Sequence, residues 1–173
     1  MTDAETSEAI LEALKAKHIH EIWATELALS SGARRCDFWS LHPHASKGYL
    51  ARAYEIKVSR ADFRRDSAIK QRQARLFSDE FYYVTPPGLI EKDEVPDWAG
   101  LWTWCPDGGW KCPLSAPRRD KDAPSWELVV SIMRNSGDIR RDTDVMKSQI
   151  AMLRKENDRL LRKLTGRSKS GRP

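Results

Sequence analysis

Apolar residues recur at helical spacing near the start of the chain: Ile10, Leu11 and Leu14, then Ile22, Leu27 and Leu29. The pattern predicts a helical run from Glu8 to about Leu29, as one helix or two, behind a polar and frayed N-terminus. Ser30-Ser31-Gly32 is its stop signal. A strand is predicted from Arg34 to His42, a turn through His42-Pro43-His44 and Ser46-Lys47-Gly48, and a second strand from Tyr49 to Val58. Ser59-Arg60-Ala61-Asp62 has capping-box spacing, in which Ser59 accepts from the Asp62 N–H and the Asp62 carboxylate reaches back. A helix follows from about Ala61 to Phe77, then an aromatic-rich strand from Glu80 to Thr85 and a turn at Pro86-Pro87-Gly88. Tryptophans 98, 102, 104 and 110 surround the hairpin-turn sequence Pro106-Asp107-Gly108-Gly109. Arg118 to Pro124 reads as a charged linker, Ser125 to Arg134 as a short helix, and Asn135-Ser136-Gly137 as a break.

The C-terminal pattern has a different period. Ile139, Met146, Leu153 and Leu160 are spaced by sevens, and Thr143, Ile150, Asn157 and Leu164 follow the same spacing at the four-three offset. With the first set at d and the second at a, residues 139–164 predict a parallel coiled-coil homodimer. Asn157 would fix its register, and Asp142 would meet Lys147 of the partner subunit. The chain thus divides into a globular domain at 1–120 that includes the Trp-rich hairpin, a linker and short helix at 121–138, the dimerising helix at 139–164, and a basic, disordered tail at 165–173.

Alternation along a strand puts Glu55 and Lys57 on one face, with Ile56 and Val58 on the other. Asp37 lies in the preceding strand-like run, and antiparallel pairing would bring the three charged groups together at the rim of a sheet. Two carboxylates and a lysine are what a metal-dependent phosphodiesterase needs. Asp37 and Glu55 would hold Mg²⁺ or Mn²⁺, with the Ile56 carbonyl as a third ligand. Lys57 would orient or deprotonate the attacking water and offset charge at the phosphate. The same tripeptide on a strand also makes an ordinary solvated polar face.

Composition changes the picture modestly. In 173 residues, 40% hydrophobic content allows a core, and a net charge of +5 favours polyanionic partners. No apolar run is long enough to span a bilayer and no signal-peptide pattern is present, so a cytoplasmic protein is expected. Three cysteines, an odd number, argue against a disulfide framework. Cys105 and Cys112 could face each other across the hairpin, but zinc would need two more ligands. The absence of a Gly-rich phosphate loop argues against ATP use.

The order helix–strand–strand–helix–strand, with Asp37 and Glu55-Ile56-Lys57 in place, resembles the PD-(D/E)XK nuclease superfamily. Cys36 stands where the motif has proline. Residues 23–90 further resemble the MmcB-like group of bacterial DNA-repair proteins, through Glu55-Ile56-Lys57, Ser59-Arg60-Ala61-Asp62-Phe63, Asp66 through Lys70, and Phe81-Tyr82-Tyr83-Val84. The resemblance implies a restriction-endonuclease-like α/β fold, a mixed sheet flanked by helices, to which this chain adds the hairpin and the coiled-coil helix. It implies a first-helix glutamate at Glu26, and Lys70 or Gln73 from the following helix near the scissile phosphate. Arg34, Arg35, Arg60, Arg64, Lys70 and Arg72 would then contact the DNA backbone. The implied activity is divalent-metal-dependent DNA hydrolysis in repair, recombination or phage DNA processing. A non-catalytic DNA-binding module on the same fold, and a coiled-coil adaptor recruiting another protein, stand as alternatives.

Overall fold

The computed structural model describes residues 2–28, 35–136, 150–157 and 161. Arg34 and most of the predicted coiled coil lie outside the described residues. Two compact units are present, Met1–Ser136 and Gly137–Pro173. In the second, residues 150–157 are helical.

The first helix, α1 (Asp3–Lys17), begins earlier than its apolar spacing suggests, because Thr2 and Glu5 form a reciprocal capping box. The Thr2 N–H donates to Glu5 at 2.7 Å, and the Glu5 N–H donates to the Thr2 hydroxyl at 3.3 Å. The N-terminus is therefore ordered from Thr2 on. Ile10 and Leu14, one turn apart, are fully buried. The helix stops at Lys17, where the His18 N–H closes onto the Leu14 carbonyl at 3.0 Å.

The predicted helical run does not continue to Leu29. Ile22–Ala28 is a strand, β1, paired antiparallel with β2 (Arg35–Leu41), which pairs antiparallel with β3 (Ala51–Ile56). After β3 come α2 (Arg60–Arg64) and α3 (Arg72–Leu76), then β4 (Glu80–Thr85), parallel to β3. Next are β5 (Gly100–Cys105), parallel to β4, and β6 (Gly109–Leu114), its antiparallel hairpin partner. The result is a six-stranded mixed sheet in sequential order, β1 to β6. A final helix, α4 (Trp126–Asn135), is capped by Ser125, whose hydroxyl accepts the Leu128 N–H.

The single helix predicted between Ala61 and Phe77 is two short ones. Asp66 accepts the Ser67 N–H at 2.8 Å and the Gln71 side-chain amide at 2.8 Å, while Ser67 accepts the Lys70 N–H at 3.4 Å. These local bonds give the backbone an alternative to helix, and the chain turns through Arg65–Gln71. Lys70 and Gln73 consequently lose the shared helical face with Asp66 on which their expected role rested.

One sheet face packs Ala51, Ala53, Phe81 and Tyr83 against Ala74, Phe63 and Leu128. The other packs Phe38, Tyr54, Ile56, Tyr82 and Val84 under Ile10 and Leu14 of α1. Trp102, Trp104 and Trp110 join the second face and Trp98 the first, so the tryptophans are packing residues. Cys105 pairs with Gly109, not Cys112, so the two cysteines do not face each other across the hairpin.

The segment expected as a linker is docked. The Arg119 N–H donates to the Asp79 carbonyl at 2.9 Å, and the Asp122 N–H to the Leu76 carbonyl at 2.8 Å. The strap passes so close to β5 that a Cβ on Gly100 would lie 2.5 Å from the Ala116 nitrogen and 2.5 Å from the Tyr82 ring. Gly100→Ala is therefore expected to cost about 1–3 kcal/mol through overpacking, read as a lowered urea midpoint with an unchanged slope. An unchanged midpoint would mean the strap lifts freely.

Candidate active site

Register places the site residues in one row. Phe38 pairs with Tyr54 on the antiparallel β2–β3 ladder, which sets Asp37 opposite Glu55, and Glu55 in turn pairs with Tyr83 on β4. Alternation keeps Glu55 and Lys57 on the same side, and the Lys57 ammonium donates to Glu55 Oε1 at 3.0 Å. The main-chain N–H of Ile56 donates to Asp37 Oδ2 at 2.8 Å, which ties the two strands and fixes the carboxylate.

Glu26 reaches this row by a route the sequence does not suggest. It is on β1, not on a helix, and the β1–β2 ladder skips it between Thr25↔Phe38 and Leu27↔Cys36, opposite Asp37. Its φ is +49°, left-handed and strained for a residue with a side chain. Its negative charge acts on Asp37.

Lys57 is held by more carboxylates than the motif names. Asp62 Oδ2 is 3.0 Å and Asp66 Oδ2 3.5 Å from Nζ. Ser59 caps α2 as expected by accepting the Asp62 N–H at 3.3 Å, but the Asp62 carboxylate turns to Lys57 and does not close the capping box. The buried amide of Gln71 donates to Asp66, and the Tyr83 hydroxyl also bonds it. Asp62, Asp66, Gln71 and Tyr83 are thus site residues that the motif alone does not identify. Gln71, not Gln73, points to this cluster.

Three carboxylates, Glu55, Asp62 and Asp66, converge on one ammonium, and Asp37 lies beside Glu55. Burial, reinforced by Asp37, pushes Glu55 up to about 7, with Lys57 opposing. Burial also pushes Asp37 up to about 6, against the Ile56 N–H and Lys57 and with Glu26. Burial works against the charge on Lys57, yet Glu55, Asp62 and Asp66 outweigh it and hold the lysine above its ordinary value. Lys57 is a fixed cation, suited to orienting water and offsetting charge and unsuited to removing a proton.

The donor set fits a hard divalent cation. Glu55 Oε2 is buried without a hydrogen-bond partner, beside the Asp37 carboxylate. A buried carboxylate oxygen without a donor is costly, and a cation would satisfy it. Among the described residues no group of three or more His, Cys, Asp and Glu side chains could hold a metal ion.

The overall architecture has a solved counterpart. It is described as the SPO1766 protein of unknown function from Silicibacter pomeroyi. The two superpose with a TM-score of 0.55 at 19% identity, over 90% of this chain and 94% of that one. At this identity the likeness establishes a shared fold and nothing about activity. No family model matches the chain, and no curated protein does.

The basic residues divide. Arg35, Arg64 and Arg72 are exposed, as a backbone-phosphate contact requires. Arg60 is engaged: its guanidinium pairs with Glu94 and donates to the Leu89 carbonyl at 3.0 Å, which pins the loop after β4. Lys70 is exposed, and its ammonium turns back onto the Arg65 carbonyl. Among the described residues no helix is long and apolar enough to cross a membrane.

Proposed function

We propose that the chain is a divalent-metal-dependent nuclease that hydrolyses DNA phosphodiester bonds, on a restriction-endonuclease-like fold of the PD-(D/E)XK type. The observation that carries this reading is the row Asp37–Glu55 with Lys57 beside it, in which Glu55 Oε2 is a buried oxygen with no donor. Mg²⁺ or Mn²⁺ held by Asp37, Glu55 and the Ile56 carbonyl would supply a Lewis acid and an acidified water. The protein's own part is positional. The Ile56 N–H fixes Asp37, and Glu55 divides its two oxygens between Lys57 and the cation site. The Lys57 ammonium, aimed by Asp62 and Asp66, orients water and balances charge developing on the phosphate. Arg35, Arg64 and Arg72 supply cations for the DNA backbone. A parallel coiled coil over 139–164 would pair two such sites in a homodimer.

The experiment is a cleavage assay on linear, circular, single-stranded and branched DNA with Mg²⁺ or Mn²⁺, beside a chelated control. Cleavage that stops on chelation supports the proposal. A second reading, a DNA-binding module that does not cut, is favoured by the missing third side-chain ligand. It predicts salt-sensitive DNA binding that survives chelation, with every substrate intact.

A further inference from the structure

A cavity of about 270 Å³ opens where α3, the start of β4 and the docked strap meet, with Arg75, Ser78, Asp79, Trp98, Arg118 and Arg119 in its wall. It lies toward the opposite end of the strands from Lys57. Ala51, bonded to Asp79, is four residues before Glu55 on β3, or about 13 Å along the strand.

Three guanidiniums line this cavity against one carboxylate. That carboxylate is already engaged, since Asp79 Oδ2 accepts the Ala51 N–H at 2.7 Å and the Lys121 ammonium at 2.8 Å. Among the described residues, neither Arg75 nor Arg118 makes an ion pair. Arg119 reaches Asp122 at 3.6 Å, and its guanidinium also donates to the Arg75 carbonyl. The Arg75 guanidinium carbon lies 4.3 Å from the Trp98 ring centroid, a cation–π contact. Burial and the neighbouring charge of Arg119 both work against the charge on Arg75, with Asp97 partly offsetting them. Like charges crowded in a cavity, with their backbone anchored by the strap, form a site preorganised for an anion.

We propose that the Arg75–Arg118–Arg119 cavity binds a phosphoryl group. Guanidinium forks match phosphate oxygens in bidentate geometry, and several forks suit a group with several acceptor oxygens and no donors. The cavity volume leaves room for a sugar attached to the phosphate, when a water occupies about 30 Å³ of liquid. The source is either free phosphate or a phosphate on a nucleic acid. No residue of this cavity belongs to the Asp37–Glu55–Lys57 site, so the inference stands or falls apart from the nuclease reading.

Isothermal titration of the full chain tests it, with three probes: inorganic phosphate, a short 5′-phosphorylated single-stranded oligonucleotide, and the same oligonucleotide with a 5′-hydroxyl. The exposed Arg118 is replaced in Arg118→Ala. Arg75→Lys keeps the charge and packing stem but removes the fork. Each is expected to weaken phosphoryl binding about tenfold, the loss of one charge-assisted contact, while Lys111→Ala, an exposed cation on β6 outside the cavity, leaves it unchanged. Binding of phosphate alone identifies a free anion. Preference for the 5′-phosphorylated strand identifies a terminal phosphate, and equal binding of both strands identifies the backbone; each supports the site if the arginine variants weaken it. No binding of any probe, or affinity unchanged in both arginine variants, overturns the proposal.

Discussion

Lys57→Met is expected to cost about 3–5 kcal/mol of stability at pH 8, the range for breaking a buried ion pair by removing one partner, and less at pH 5. Lys57 and Glu55 are 5% and 10% exposed, so solvent screens their interaction little. Without the ammonium, Glu55 keeps Asp37 as a neighbour and loses its only bonded cation. At pH 8 the variant must either bury the Glu55 carboxylate without its cation or protonate it, since burial and Asp37 push Glu55 up to about 7 even with Lys57 opposing them. At pH 5 Glu55 already carries a proton in the folded protein, so its share of the loss falls away and the pairs of Lys57 with Asp62 and Asp66 carry what remains. Urea unfolding at the two pH values reads the difference. A loss of equal size at both would show that the Glu55 pair carries none of it.

The second large effect is on the unsubstituted protein. Glu55 rises from 4.5 to about 7 and Asp37 from 3.8 to about 6 on folding, chiefly through burial. The folded state therefore binds these protons more tightly than the unfolded chain. Their contribution to stability is complete below the unfolded values and is lost as the pH rises through about 6 and about 7. For Glu55 the loss is on the order of 3 kcal/mol. A divalent cation at the site competes with the same protons, so it should restore stability only where the carboxylates are ionised. At a free Mg²⁺ or Mn²⁺ concentration ten times its dissociation constant, the gain at pH 8 is about 1.4 kcal/mol. At pH 5 almost no gain is expected, and Asp37→Asn should remove the gain at pH 8. Melting temperatures with and without the ion measure it, and a gain of the same size at pH 5 would place the ion elsewhere.

Much of this arrangement is legible in the chain. The alternation of Glu55, Ile56 and Lys57 places the charged pair on one face, and the geometry agrees. The β4 strand, the Pro106–Gly109 hairpin and the helix after Ser125 also follow from local signals. The β1 strand does not, for a specific reason. The left-handed φ at Glu26 breaks its alternation, so the buried residues are Ala24 and Leu27, three apart, which imitates a helix. The break between α2 and α3 depends on Asp66 and Ser67 side chains bonding their own turn, and helical periodicity is blind to that. Tyr83 enters the site through the parallel register of β4 on β3, a long-range pairing no local pattern specifies. Asp66 and Gln71 are five apart, and only the broken helix brings the Gln71 amide onto Asp66 and Asp66 onto Lys57.

The most direct measurement is the single-turnover cleavage rate of a labelled DNA duplex with Mn²⁺, compared among the unsubstituted protein, Asp37→Asn and Glu55→Gln. The proposed site predicts metal-dependent cleavage that falls at least about a hundredfold in both variants, as for the loss of a group that stabilises transition-state charge, with DNA affinity retained. Cleavage at the same rate in the variants, or none by the folded, DNA-binding protein with either ion, would contradict it.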